Sequence, residues 1–281
     1  MNRIRQNLAP QIATLLDGMI KKNAYFPRRI GGTMQAHEHP DHAVVDSGLA
    51  TDTFNLVISK AAGQPQAAAT ASIAQRFNDA GLPAAWWTCR ELADPAFAQV
   101  LREHGFVEDE TSVGMLAGLD LLPPVDYPAG FGVRQISAPE DVARFGVLIG
   151  ALFDPPDAYV DAFYRNVAAL AIDASEPLKL FVGEIDGEAV STAAMYLDGD
   201  TAHIFDISTS AAVRRRGFAS STTHFVLTHA RERLGARRAA LQASPDGLNV
   251  YLRLGFEPVC EFLVYSNRAA IQERSHDQHR A

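Results

Sequence analysis

The run Val213-Arg214-Arg215-Arg216-Gly217-Phe218-Ala219-Ser220 is the strongest fold signal in the chain. It lies where a predicted strand gives way to a predicted helix. The start of a helix directs several backbone N–H groups to one place, at the positive end of the helix dipole. Gly217 has no side chain to block a close approach, and the three arginines can contact phosphate oxygens. We therefore predict that this loop binds a diphosphate.

The flanking sequence predicts antiparallel strands before the loop and a helix after it. Predicted strands cover residues 180–185, 189–196 and 202–207, and Asp186-Gly187 and Asp198-Gly199 are typical hairpin turns. Apolar side chains at spacings of three and four then predict a helix that ends at Gly235. A strand at 238–242, a helix at 246–254 that begins after Ser244-Pro245, and a strand at 259–265 complete the series.

With these elements in order, the chain resembles the GNAT N-acetyltransferases over about residues 132–265. Two motifs carry the resemblance: Arg214-x-x-Gly217-x-Ala219 after the hairpin series, and Tyr251-x-x-x-Gly255-Phe256 at the last predicted helix. Ser244 stands where the family often has Asn, and Ala211 stands where it often has Pro. The resemblance implies an acyl-CoA fold in which two neighbouring parallel strands splay apart and receive the pantetheine arm.

The resemblance also implies which residues contact coenzyme A. The pantetheine arm would bond to the backbone of the strand that ends near Thr209, and the diphosphate would lie on the amides of residues 215–220. The expected cofactor contacts are Ile207, Ser208, Thr209, Arg214, Arg215, Arg216, Gly217, Phe218, Ala219, Ser220, Ser244 and Tyr251.

The expected reaction is direct attack of an amine on the thioester carbonyl, with backbone N–H groups stabilising the oxyanion. Tyr251 occupies the position that the family commonly uses as the acid, and a tyrosine keeps its proton at pH 7. For the base, His203 and Asp206 are both candidates, as is a water relay, and Glu184 lies on a neighbouring strand. On a regular strand His203 and Asp206 would face opposite sides.

Composition limits the classes of protein to which the chain can belong. The chain has 281 residues, of which 47% are hydrophobic and 21% charged, as in globular proteins. Lys and Arg number 25 against 33 Asp and Glu, which disfavours a nucleic-acid partner. No apolar run is long enough for a membrane span, and Asp17, Lys21 and Lys22 interrupt a possible secretion signal. Cys89 and Cys260 fall one in each half, so we expect no disulfide and a cytoplasmic location.

The sequence predicts an α/β fold with two tandem GNAT-like domains, each a mostly antiparallel, mixed α+β sheet flanked by helices. Three prolines near residues 121–131 indicate a linker. The predicted parts are a degenerate domain at 1–120, the linker at 121–131, the acetyltransferase domain at 132–268 and a polar tail at 269–281.

The first half repeats the helix, Gly-Phe and strand pattern around Gly105-Phe106, which suggests an internal repeat. This half lacks the residues expected for catalysis and cofactor binding. Leu101 stands where Tyr251 stands in the second half, and the connection at 61–66 has no arginine to bind a diphosphate. An unrelated α/β domain is the alternative for this half.

Two further features are interpreted as structural. The run His37-Glu38-His39-Pro40-Asp41-His42 puts two histidines on one strand face, as in a metal site, but Pro40 breaks the strand and no cysteine or third ligand is evident, so we predict no metal. Trp86 and Trp87 are interpreted as neighbours on a strand whose side chains point to opposite faces, one buried and one exposed.

The predicted function is N-acyl transfer, from acetyl-CoA or a longer acyl donor, to a small-molecule or peptide amine. The alternative is a non-catalytic CoA-binding sensor or scaffold. The acceptor and the oligomeric state are not readable from the sequence.

Overall fold

The computed structural model describes residues 2–61, 63–173 and 175–278; Ala62 of the arginine-free connection and tail residues 279–281 lie outside this range. The elements in chain order are α1 (Asn2–Ile30), β1 (Gln35–Glu38), β2 (His42–Asp46), β3 (Leu56–Ser59), α2 (Ala67–Asp79), β4 (Ala85–Cys89), α3 (Pro95–Glu103), β5 (Val107–Gly118), β6 (Phe131–Ile136), α4 (Pro139–Gly150), α5 (Ala158–Ala168), β7 (Leu178–Ile185), β8 (Glu188–Asp198), β9 (Thr201–Thr209), α6 (Phe218–Leu234), β10 (Arg238–Ala243), α7 (Leu248–Arg253), β11 (Glu257–Ser266) and α8 (Arg268–Gln278).

The chain forms two compact units, residues 1–113 with 259–281 and residues 114–258. In the first unit β1, β2, β3, β4 and β11 are neighbours in that order. The β3–β4 pair is parallel, and the β1–β2, β2–β3 and β4–β11 pairs are antiparallel. Helices α2 and α3 cover one face through Phe77, Phe97 and Leu101, which pack with Trp86 of β4.

The last strand corrects two predictions. The sequence assigned residues 259–265 to the second domain, but β11 pairs with β4, with Phe262 opposite Cys89. Cys260 therefore belongs to the same unit as Cys89, although the two cysteines fall in different halves of the sequence. Helix α8 covers most of the predicted polar tail.

The second unit contains the antiparallel series β6, β7, β8, β9, followed by β10, which is parallel to β9. Helix α6 packs against β7, β8 and β9, and α4 packs against α5. Asp186 and Gly187 have φ of 53° and 80°, which is the left-handed pair that a tight hairpin turn needs. The predicted turn is therefore confirmed.

Helix α7 begins later than predicted. Its N-cap is Gly247, and the Ser244 hydroxyl accepts a hydrogen bond from Gly247 N–H at 3.3 Å. Ser244 therefore stabilises the turn before the helix and does not cap it.

Both units contain a parallel strand pair connected through a helix: β3–α2–β4 in the first and β9–α6–β10 in the second. In the sequence, a helix and a further strand follow each pair, as α3–β5 and α7–β11. This correspondence supports the internal repeat. Within the described ranges, no helix combines the length and hydropathy that a membrane span requires.

Gly183 of β7 allows close packing beneath the start of α6. A Cβ at this position would lie 2.3 Å from Ser191 Oγ and 2.4 Å from Phe131 Cζ. We expect Gly183→Ala to destabilise the protein by about 1–3 kcal/mol, because the Ser191 hydroxyl is hydrogen-bonded to Thr222 and the Phe131 ring is packed on Phe218. Urea denaturation measures this change. Gly132→Ala, on the adjacent strand with open space around the added methyl, is the control and should be near neutral. Equal stability of the two variants would contradict the prediction.

Candidate active site

Strands β9 and β10 separate in the second unit. Their parallel register runs from Thr201 opposite Arg238 to Ile204 opposite Leu241 and ends there, although β9 continues to Thr209 and β10 to Ala243. Beyond this point the described part of the chain pairs β9 with β8 alone, through Ser208 opposite Thr192 and Thr209 opposite Ser191. One backbone edge of β9 therefore has no paired strand there, and this open edge, which the family resemblance implies, is called the gap below.

A β-bulge lies at the start of this open edge. Asp206 and Ile207 together oppose Ala193 of β8, and Asp206 has φ of 51°. Thr192 Oγ1 holds the bulge by donating to Asp206 O at 2.7 Å, and it also bonds to Ser208 Oγ at 2.7 Å. The regular alternation assumed for His203 and Asp206 is therefore wrong, because a bulge adds a residue and re-aims the side chains.

The arginine loop follows the open edge. Arg215 and Gly217 both have left-handed backbone, with φ of 62° and 86°, on either side of Arg216. Successive N–H groups in such a loop form a concave anion-binding nest. Residues 218–220 begin α6, whose first N–H groups have no partner within the helix and whose first turn has no acidic side chain. The side chains of Arg214, Arg215 and Arg216 are exposed.

Packing and hydrogen bonds fix this loop in place. The Phe218 ring is buried and lies 4.8 Å from the Phe131 ring, and Val213 packs beside the same cluster. Only the backbone of Phe218 is therefore available to a cofactor. Arg214 Nε donates to Thr209 O at 3.2 Å, and the Arg216 guanidinium lies 5.2 Å from the Phe218 ring centre.

Tyr251 lies on α7, which follows β10. Its side chain is buried, with 8% exposed, and its ring packs against Gly247 and Phe256. Burial raises the pKa of the Tyr251 hydroxyl, so it remains a proton donor. Among the residues that the structure describes, none hydrogen-bonds to this hydroxyl.

Tyr164 is a site residue that the sequence did not reveal. Its hydroxyl donates to Asp206 Oδ2 at 2.9 Å from α5, while its ring packs on Phe145 and against Gly146. Burial and the Asp206 carboxylate raise the pKa of Tyr164 well above its ordinary value, so it stays protonated and donates. In the sequence it belongs to the apolar face of an amphipathic helix, which gives no sign that its hydroxyl contacts a carboxylate.

The other two candidate bases have different environments. His203 is buried, with 1% exposed, and lies within the part of β9 that is paired on both sides, opposite Tyr196 and Ala240. Glu184 is bound by Arg134 at 2.8 Å, and Asp141 binds the same guanidinium. Asp206 is therefore the candidate that lies at the gap.

Two buried polar atoms lie on the separated parts of the strands. In the described part of the chain, neither Thr209 Oγ1 nor Gln242 Nε2 has a hydrogen-bond partner. Leaving such a group unsatisfied costs about 1–3 kcal/mol. A polar ligand between β9 and β10 would remove this cost. Gln242 was not among the predicted site residues, because nothing in its strand pattern distinguishes it.

The corresponding place in the first unit is filled by protein. Gln64 donates to Thr88 Oγ1 of β4, and Trp86 Nε1 donates to Ser59 Oγ of β3 at 3.0 Å. Leu101, the counterpart of Tyr251, is fully buried in the core. These contacts join β3 to β4 and support the interpretation of this half as degenerate.

The histidine group and the tryptophan pair contribute packing in the first unit. His42 bonds to Asp41 at 2.6 Å and stacks on His39, and His37 bonds to Gln35. With Arg76 and neighbours these histidines line a cavity of about 360 Å³. Trp86 is fully buried and Trp87 is half-buried.

Comparison with known proteins agrees with this geometry. Residues 149–256 match the model of the acetyltransferase (GNAT) family. No curated protein sequence matches the chain significantly.

Solved structures resemble almost the whole chain. A GCN5-related N-acetyltransferase from Kribbella flavida is 17% identical, with a TM-score of 0.66 over 91% of this chain and 95% of the other. One from Sphaerobacter thermophilus is 15% identical, with a TM-score of 0.57 over 92% and 91%. A tandem GNAT protein from the clavulanic acid biosynthesis pathway is 12% identical, with a TM-score of 0.54 over 94% and 95%. Residues 149–256 therefore match the GNAT family, and the chain as a whole has the fold of tandem GNAT proteins.

Proposed function

We propose that the second unit transfers an acetyl group from acetyl-CoA to an amine. The observation that carries this proposal is the end of the β9–β10 register at Ile204 and Leu241, next to the arginine loop. This arrangement combines an open strand edge, which can pair with an amide-bearing chain, and a cationic nest for phosphate. Acetyl-CoA has both an amide-bearing pantetheine arm and a diphosphate.

The residues present fit this cofactor. The backbone edge of β9 from Ile207 to Thr209 would hold the pantetheine amides, and Gln242 of β10 lies near the start of this edge, one residue beyond the last paired position. The N–H groups of residues 215–220 and the three arginines would hold the diphosphate. Ser244 is exposed in the turn before Tyr251 and would contribute a hydroxyl at the edge of the site. When bound, acetyl-CoA supplies the activated acyl thioester.

The chain's own residues would move the protons. Tyr251 Oη holds a proton at neutral pH in a buried position, which suits donation to a departing thiolate. Asp206 at the bulge would accept a proton from the amine, directly or through water, and Tyr164 would hold its carboxylate in position. His203 is the second candidate for the base, acting from the buried part of β9.

Two measurements test the proposal. Calorimetry should detect binding of coenzyme A, and a panel of small amines and peptides with acetyl-CoA should release free thiol. Replacing acetyl-CoA with longer acyl donors in the same assay determines the acyl length. Binding without turnover on any amine would favour the CoA-binding sensor, and absence of binding would overturn both functions.

Tyr164→Phe should lower kcat by roughly ten- to a hundredfold, because the Asp206 carboxylate loses a buried donor worth about 1.5–3 kcal/mol. Tyr164 is a positioning residue, so the dissociation constant for coenzyme A should not change. Steady-state kinetics and calorimetry on the same preparation measure both. Tyr159→Phe removes an exposed hydroxyl from the same helix and is the control. A weaker affinity for coenzyme A with unchanged kcat would contradict this role.

A further inference from the structure

Cys89, Glu91 and Cys260 lie together at one end of the β4–β11 pair. Cys89 opposes Phe262, and Arg90 N–H donates to Glu261 O at 2.8 Å, which continues the ladder by one step. Glu91 lies just beyond, in the turn that follows β4, where Leu92 N–H donates to Cys89 O at 2.9 Å. The turn brings the Glu91 carboxylate to the two thiols: the sulfur atoms of Cys89 and Cys260 and a carboxylate oxygen of Glu91 all lie within 4.8 Å of one another.

The three groups are partly shielded from water. Cys89 is fully buried and Cys260 is 5% exposed, while Glu91 is half-buried. Cys89 Sγ donates to Glu91 Oε2 at 2.8 Å, and Glu261 N–H donates to the same carboxylate at 3.3–3.4 Å. Contact with the Cys260 thiol and burial raise the pKa of Cys89.

We propose that Cys89, Glu91 and Cys260 bind one Zn²⁺ ion, with water as the fourth ligand. Zinc takes thiolate sulfur at about 2.3 Å and carboxylate oxygen at about 2.0–2.2 Å in tetrahedral geometry. This geometry places the two sulfurs about 3.8 Å apart and each sulfur about 3.5 Å from the oxygen. These separations fit within the observed cluster. The half-buried Glu91 leaves a path for the water ligand.

The strand register favours a metal over a disulfide. Cys89 and Cys260 are diagonal neighbours, and such pairs on antiparallel strands are about 7–8 Å apart. A disulfide usually requires Cα atoms within about 4.4–6.8 Å. A bridging ion extends the link between the sulfurs without moving the strands. It also uses Glu91, which a disulfide would leave unused beside the sulfur atoms.

Binding is balanced by proton release and needs no oxidant. Each thiol releases one proton to solvent as its sulfur bonds to zinc, and the ionised Glu91 replaces water in the metal's hydration shell. The ion would tie β11 to β4 across 171 positions of sequence. Zinc bound to the folded state alone stabilises that state, so its effect is visible in thermal unfolding.

The test uses the full chain without a histidine tag, purified under reducing conditions without chelators. Elemental analysis should give about one zinc per chain, and a chelator should lower Tm until zinc is restored. Titration of the zinc-free protein with Co²⁺ should produce the visible absorption bands of a tetrahedral thiolate site. Cys89→Ser and Cys260→Ser should each weaken Zn²⁺ binding at least tenfold.

A matched pair of variants separates the carboxylate ligand from its neighbour. Glu91→Gln should weaken zinc binding, whereas Glu261→Gln should not, because Glu261 lies on the other strand face and binds Arg90. If the cysteine variants do not fold, elemental analysis and cobalt titration of the wild-type protein still test the proposal. Zinc-free protein with two free thiols and no cobalt bands overturns the proposal, and so does a resting Cys89–Cys260 disulfide, which mass spectrometry detects as the loss of two hydrogens.

Discussion

Tyr251→Phe should reduce kcat on the order of 10²-fold while leaving the affinity for coenzyme A close to that of the wild type. The ring remains buried against Gly247 and Phe256, so the substitution keeps the packing of α7. The hydroxyl has no hydrogen-bond partner among the described residues, so its removal should cost little folding stability. The loss would therefore fall on proton donation alone.

The pH profile provides an independent check on the same residue. Burial raises the pKa of Tyr251 above its ordinary value of about 10, and the acid form is the active one. The sign follows directly: activity that depends on this proton is present below the raised pKa and is lost only as the pH rises through it. We expect no loss of kcat from Tyr251 ionisation below about pH 10.

The control for Tyr251 is the exposed Tyr159, whose change to Phe should not alter turnover. Single-turnover measurements with saturating acetyl-CoA separate the chemical step from product release. An unchanged kcat in Tyr251→Phe would remove this residue from the proposed chemistry. A large loss of coenzyme A affinity with little loss of kcat would assign it to binding instead.

Local sequence signals predicted the parts of the site that depend on local structure. The Asp186-Gly187 turn and the glycine before α6 require left-handed backbone, and both positions have it. The separation of β9 from β10 followed from the family resemblance, since no residue type in either strand signals the end of the register.

Contacts between distant segments were not predictable in the same way. The pairing of β11 with β4 depends on partners far apart in the chain, and an apolar strand pattern is compatible with several neighbours. The bulge at Asp206 was hidden because one extra residue in a strand leaves no distinct pattern of residue types in β9. The proposed site at Cys89 and Cys260 was not predictable from the sequence, because the two cysteines meet only through that distant pairing.

Removing two arginines from the nest should weaken coenzyme A binding strongly. We expect Arg214→Ala/Arg216→Ala to raise the dissociation constant by about 10²- to 10⁴-fold, since each charge-assisted hydrogen bond is worth about 1.5–3 kcal/mol. Arg214 also hydrogen-bonds to Thr209 O, and Arg216 stacks on Phe218. Both side chains therefore supply positive charge and also help to keep the loop in its conformation. Calorimetry with coenzyme A measures the change.

A ligand without phosphate tests whether the two arginines act on the diphosphate. The same double variant should bind S-acetylpantetheine, which lacks phosphate, about as well as the wild type, because its contacts are expected along β9 rather than at the nest. Wild-type affinity for coenzyme A should also fall with added salt more steeply than in the variant, since exposed charges are screened. Arg233→Ala/Arg237→Ala removes the same charge at the far end of α6, about 25 Å away, and should have little effect. Equal losses for both ligands would mean that the substitutions unfold the loop, and unchanged affinity for coenzyme A would place the diphosphate elsewhere.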